Sequence, residues 1–131
     1  MSQPSQKKRP LSPHLQVYKP QMTSTMSILN RITGVALTVG LFMFSAWIIS
    51  AALGADAFGQ FHSFAYSWIG KVMLFGWTFA LMFHLLNGVR HLVWDTGRSL
   101  SLKGAYQTGW IVIIGTIIAS VFIIIKAYGV I

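Results

Sequence analysis

The chain is 131 residues long, 54% hydrophobic and only 9% charged, with ten lysines and arginines against two acids and a formal net charge of +8. That length allows one domain, and that composition is far from the soluble average and points to a protein built for a bilayer. With no cysteine, the chain excludes disulfides, thiolate-held iron–sulfur clusters and covalently attached c-type haem, so any redox cofactor must be held through histidine.

Residues 1–26 carry prolines at positions 4, 10, 13 and 20 and no sustained helical period. They read as an extended segment lying on the membrane or on a partner. The apolar stretch that follows starts too late for a cleaved signal peptide, and the leader lacks the character of an arginine- and serine-rich transit peptide. A bacterial inner membrane is the expected home.

The first apolar window covers residues 32–53, within a helix expected over about 28–53. Its entry, "SILNRITG" at 27–34, places Ser27, Arg31, Gly34 and Thr38 at i, i+4, i+7 and i+11, a polar and small stripe where the helix enters the membrane. A hydroxyl and a guanidinium one turn apart suit a polar headgroup or a carboxylate, a haem propionate included. The plainer role for Arg31 is a cationic anchor on lipid phosphate. Residues 54–64 read as a short loop holding Asp56 and His62 and no lysine or arginine.

The second window, residues 65–86 within a helix expected over about 65–92, ends in "HLLNGVRHLVWD" at 84–95. At about 100° per residue, His84, Gly88, His91 and Asp95 fall in one stripe, and Arg90 points well away from it. Gly88 leaves a gap between the two histidines, room for a flat ring to approach the backbone. His84 is then a candidate iron ligand and His91 a partner for a carboxylate. Helix-packing and interfacial polar roles are the plainer alternatives for these residues. The third window, residues 110–125, needs its flanks to cross, giving a helix over about 108–128.

Only helices can satisfy the backbone of three such segments in lipid, so the expected fold is all-α, an integral bundle of three transmembrane helices with an extended N-terminal segment. Trp68, Trp94, Trp110 and Tyr128 fit an interfacial aromatic belt. The basic residues form no single patch of the kind nucleic acid requires. Lys7, Lys8, Arg9, Lys19 and Arg31 precede the first apolar window and Arg90, Arg98 and Lys103 follow the second. Those regions share a side, which the positive-inside rule makes cytoplasmic. Lys71 and Lys126 sit near the outer ends and can snorkel. No repeat, phosphate-binding glycine loop or nucleophile–base pair supports a self-contained hydrolase or kinase.

Residues on one helix cannot ligate both faces of one haem. His62 lies in the opposite loop and His14 precedes the first helix, so a haem on His84 is either five-coordinate or completed by another chain.

The segments "RPLSPHLQVYKP" at 9–20, "SILNRITG" at 27–34 and "HLLNGVRHLVWD" at 84–95, in this order and spacing, resemble the cytochrome b subunit of succinate dehydrogenase, the larger membrane anchor of respiratory complex II. The resemblance extends over nearly the whole chain. It implies that His84 is the axial ligand of a haem b shared with a second small anchor subunit, and that Ser27 and Arg31 line a ubiquinone pocket. It further implies that Arg31 and His91 lie beside the haem propionates, and that flavoprotein and iron–sulfur subunits oxidise succinate and deliver electrons to the quinone. Asp95 is expected to serve packing or proton supply at the cytoplasmic face. Many members carry histidine immediately before the arginine of the first motif where this chain has Asn30, which cannot become cationic and is not counted as a haem contact. A fumarate reductase anchor and a haem-free membrane adaptor are the alternatives, separable by the retained quinone and by the b-type absorbance bands.

Overall fold

The computed structural model describes residues 19–127 and residue 129. The leader up to residue 18, with His14, Pro4, Pro10 and Pro13, and the belt residue Tyr128 lie outside the described residues.

Four helices follow in order: α1 over Met22–Leu53, α2 over Ala55–Tyr66, α3 over Trp68–Asp95 and α4 over Leu102–Ala127. Among the described residues there is no strand. The first, third and fourth are long and apolar enough to cross a membrane, so the expected three-span bundle is present. Their 32, 28 and 26 residues correspond to roughly 40–50 Å of helix, more than the roughly 30 Å of a hydrocarbon core, so each extends past it.

Helix α1 begins at Met22 rather than at 28. Pro20 resists helix, Gln21 is still extended at φ −100°, and its N–H is taken up by Ser24 Oγ at 3.2 Å. Hydropathy alone misses this polar first turn, which is held because Met26 is buried to 1% exposure and Met22 packs against the same core. At its other end α1 stops at Gly54, whose φ of 109° lies in a region glycine alone enters cheaply.

The stretch expected to be a short loop is instead helix α2. Its turn into α3 is made by Ser67, whose Oγ accepts from the N–H of Gly70 at 3.2 Å. Gly70 sits against the backbone of Phe64 and Ala65, where a side chain would collide. Phe58, Phe61 and Ala65 line, with Phe44, Trp47 and Trp77, an aromatic cavity of about 270 Å³ between α2 and the adjoining parts of α1 and α3.

The three spans pack through small and polar side chains. Helix α4 buries Ala105, Gly109, Val112, Thr116 and Ser120, while Phe42, Trp68 and Ile111 are among many large apolar residues left on the outside. In lipid an outward phenylalanine costs nothing, so close packing of small residues, rather than apolarity, decides which face turns inward. Met26, Phe83 and Val112 form the shared core of α1, α3 and α4.

Candidate functional site

Helices α1 and α3 run antiparallel in a fixed register. Asn30 meets Asn87 through a side-chain hydrogen bond of 3.0 Å, Thr33 Oγ1 lies 3.3 Å from His84 Nδ1, and Gly40 faces the Trp77 indole. This register sets Gly34 against His84, since a Cβ added at Gly34 would stand 3.4 Å from His84 Cε1. Ser27 and Arg31 therefore lie at about the heights of His91 and Gly88, one to two turns nearer the α1 entry. The segments at 27–34 and 84–95 are thus brought together at one end of the α1–α3 seam.

His84 is half-buried at the edge of this seam. Thr33 contributes one hydroxyl proton and has two nearer acceptors, the carbonyls of Leu29 at 2.9 Å and Asn30 at 3.0 Å. Its lone pairs are left to receive a proton from Nδ1, and the other ring nitrogen, Nε2, makes no hydrogen bond among the described residues. An imidazole held at Nδ1 with its Nε2 lone pair uncommitted has the chemistry of a metal ligand. Beside it Gly88 opens outward, as a Cβ there would meet nothing within 4 Å. One imidazole face and a gap in the helix surface fit one side of a flat, iron-bearing macrocycle such as haem.

The opposite axial position finds no ligand among the described residues. His62 lies on α2 at the far end of the bundle, stacked on Tyr66 with ring centroids 4.4 Å apart. His91 is on the same helix as His84. Its Nδ1 donates to the Asn87 carbonyl at 2.7 Å and its ring stands edge-on to Trp94. No three histidine, aspartate or glutamate side chains converge into a metal site among the described residues.

Ser27 and Arg31 occupy the outer face of α1, exposed and without a side-chain partner among the described residues. His91 and Asp95 are likewise exposed on α3. The structure brings these residues to the same end and the same open flank, but they do not touch one another directly.

Sequence reasoning missed Arg90 and Thr33. Arg90, expected among the interfacial polar residues, is buried to 4% exposure between α3 and α4. Its Nε donates to Thr108 Oγ1 at 3.0 Å, its Nη2 to the Ala105 carbonyl at 2.9 Å and its Nη1 to Asn87 Oδ1 at 3.4 Å, while its guanidinium carbon lies 3.9 Å from the Trp94 ring centroid. The available signal was the stripe Ala80, Phe83, Asn87, Arg90 at helical spacing, which is the buried face of α3. Thr33 had a similar signal, since Met26, Thr33 and Gly40 recur every seven residues along α1 and are its buried seam.

Three spans with one half-buried imidazole, an open glycine beside it and a polar flank at the same end are the features of a polytopic helical membrane protein with a candidate cofactor-binding flank. A family model described as succinate dehydrogenase/fumarate reductase transmembrane subunit matches residues 5–123. The chain is 40% identical over 116 residues to the succinate dehydrogenase cytochrome b556 subunit of Rickettsia conorii, covering 88% of this chain and 90% of that protein. It is 38% identical over 117 residues to the protein of the same name from Paracoccus denitrificans, covering 89% and 90%. It is also 39% identical over 118 residues to the mitochondrial succinate dehydrogenase cytochrome B subunit of Schizosaccharomyces pombe, covering 86% and 65%. The chain belongs to the succinate dehydrogenase/fumarate reductase transmembrane subunit family. It is a multi-pass inner-membrane protein and a membrane anchor subunit of succinate dehydrogenase, with the succinate chemistry on other subunits.

Proposed function

We propose that this chain carries one half of a haem b site and part of a ubiquinone site at the cytoplasmic boundary. In this reading His84 supplies one axial ligand and a second small anchor subunit supplies the other. The observation that carries the reading is the hydroxyl of Thr33 holding Nδ1 of His84 while Nε2 stays uncommitted beside the open Gly88. Haem bound there would supply one-electron exchange at the membrane boundary.

The residues around it divide the remaining work. Arg31 suits a propionate and a quinone oxygen alike, through charge-assisted hydrogen bonds from its fork of donors. Ser27, one turn away on the same face, orients a quinone carbonyl. His91, held at Nδ1 by the Asn87 carbonyl, presents its other nitrogen towards the propionates. Arg31 favours the negative charge that builds on a quinone oxygen as electrons arrive, because its charge is in place beforehand.

Succinate, oxidised to fumarate on a flavoprotein subunit, gives up two electrons and two protons. An iron–sulfur subunit passes the electrons on, and ubiquinone takes them up with two protons from the nearby aqueous face to form ubiquinol. The distribution of Lys19, Arg31, Arg98 and Lys103 at one end, opposite α2 with its Asp56, supports an N-terminus on the cytoplasmic side.

The test is the absorbance spectrum of the complex, co-expressed with its companion subunits and purified in detergent. Dithionite reduction is expected to give b-type Soret and α bands and ubiquinone to be retained. Absence of both bands would leave a haem-free membrane adaptor, and retained menaquinone with predominant fumarate reduction would indicate an anchor run in reverse.

A further inference from the structure

We infer that Thr33 is the positioning residue for the iron ligand, its hydroxyl accepting the Nδ1 proton of His84 and so keeping the lone pair on Nε2. The inference rests on the reading of His84 as a haem ligand and deepens it.

An imidazole that coordinates through Nε2 must carry its proton on Nδ1, and in a low-dielectric interior that proton needs an acceptor. Thr33 Oγ1, at 3.3 Å, is the acceptor within reach. Thr33 is buried to 6% exposure on α1, and its own proton is shared between the carbonyls of Leu29 and Asn30, one turn back on the same helix. Those two contacts fix the hydroxyl's rotation, so its lone pairs point away from its own helix towards α3. The next residue, Gly34, lets the ring rest against the α1 backbone, with Cε1 at contact distance from a would-be Cβ. Helix α1 thus fixes both the tautomer and the seat of a ligand that belongs to α3.

A hydrogen bond donated by Nδ1 pushes electron density towards Nε2, which favours ferric over ferrous iron and lowers the haem potential. Thr33→Val keeps the volume and removes the acceptor, while Thr33→Ser keeps the acceptor and removes a methyl group.

The experiment is a potentiometric titration of the b-type α band, with low-temperature electron paramagnetic resonance, on the detergent-purified complex carrying each variant. Thr33→Val is expected to raise the midpoint potential and shift the low-spin g values with haem content retained, and Thr33→Ser to match the wild type. Loss of haem in Thr33→Val with retention in Thr33→Ser supports the same role. A Thr33→Val complex indistinguishable from wild type overturns the proposal, as does an equal shift in both variants, which would mark the methyl packing as the cause. Failure of the underlying reading looks different: the wild type shows no b-type bands, or His84→Leu leaves them unchanged.

Discussion

Asn87 on α3 donates from Nδ2 to Oδ1 of Asn30 on α1 at 3.0 Å, and its own Oδ1 accepts from Arg90 at 3.4 Å. Asn87 is completely buried, so both ends of its amide are satisfied inside the bundle, and through Arg90 the network reaches Thr108 and the Ala105 carbonyl on α4. One chain of side chains therefore ties the same ends of all three spans together, directly beneath His91, whose ring is held by the Asn87 carbonyl. It also gives Asn30 a structural partner within the bundle.

Asn87→Ala should destabilise the subunit more than Asn30→Ala, because it strands two partners instead of one. Interhelical hydrogen bonds in membranes average about 0.6 kcal/mol and reach about 1.7, so the Asn30/Asn87 double-mutant cycle is expected to give a coupling within that range. Thermal unfolding of the purified complex, followed by helicity, measures it. Full additivity would show that the two amides do not interact.

Arg90→Lys should be nearly as damaging as Arg90→Ala. An ammonium group is a compact donor on a flexible stem and cannot reach Thr108, Ala105 and Asn87 at once, whereas the guanidinium fork does. A loss of about 1–3 kcal/mol is expected for each variant from the abandoned acceptors. Wild-type assembly yield and unfolding temperature in the lysine variant would mean that charge, and not fork geometry, is what the site needs.

The two faces of the candidate site should fail separately. His84→Leu is expected to abolish or strongly perturb the low-spin haem signal, and an unchanged spectrum removes His84 from the site. Arg31→Ala, on the outer face of α1 and without a side-chain partner among the described residues, should lower quinone reduction about tenfold or more, the scale of losing one preorganised charged donor. Succinate oxidation with an artificial dye should persist. Parallel loss of both activities would point to failed assembly.

Glycine positions offer a test of the packing itself. A Cβ at Gly40 overlaps the rigid indole of Trp77, so Gly40→Ala should cost about 1–3 kcal/mol. At Gly109 the nearest atoms are Cγ and Sδ of Met22, at 3.0 and 3.3 Å. A flexible thioether can swing aside, so Gly109→Ala should be nearly neutral. Comparing the unfolding temperatures of the two variants decides it, and equal effects would contradict the α1–α3 contact at Trp77.

The sequence by itself determined the three spans, because long apolar runs admit only helices in lipid, and it determined the stripe bearing His84, because helical spacing is fixed by the backbone. It also required that no second axial ligand come from the same helix. What it left open was which face of each span turns inward. In a soluble helix the apolar stripe answers that, but here both faces are apolar, and α1, α3 and α4 place phenylalanines and isoleucines outside while burying Asn87, Thr116 and Arg90. Arg90 gained its acceptors only once α4 had brought the Ala105 carbonyl and Thr108 to its guanidinium. Thr33 became the partner of His84 only through the antiparallel register of α1 and α3. Helix α2 went unread for a related reason: Phe58, Phe61 and Ala65 gain meaning only from Phe44, Trp47 and Trp77, with which they line one cavity. Membrane insertion is written in composition and spacing, whereas polar partners in a bundle are chosen by which helices meet and at what height.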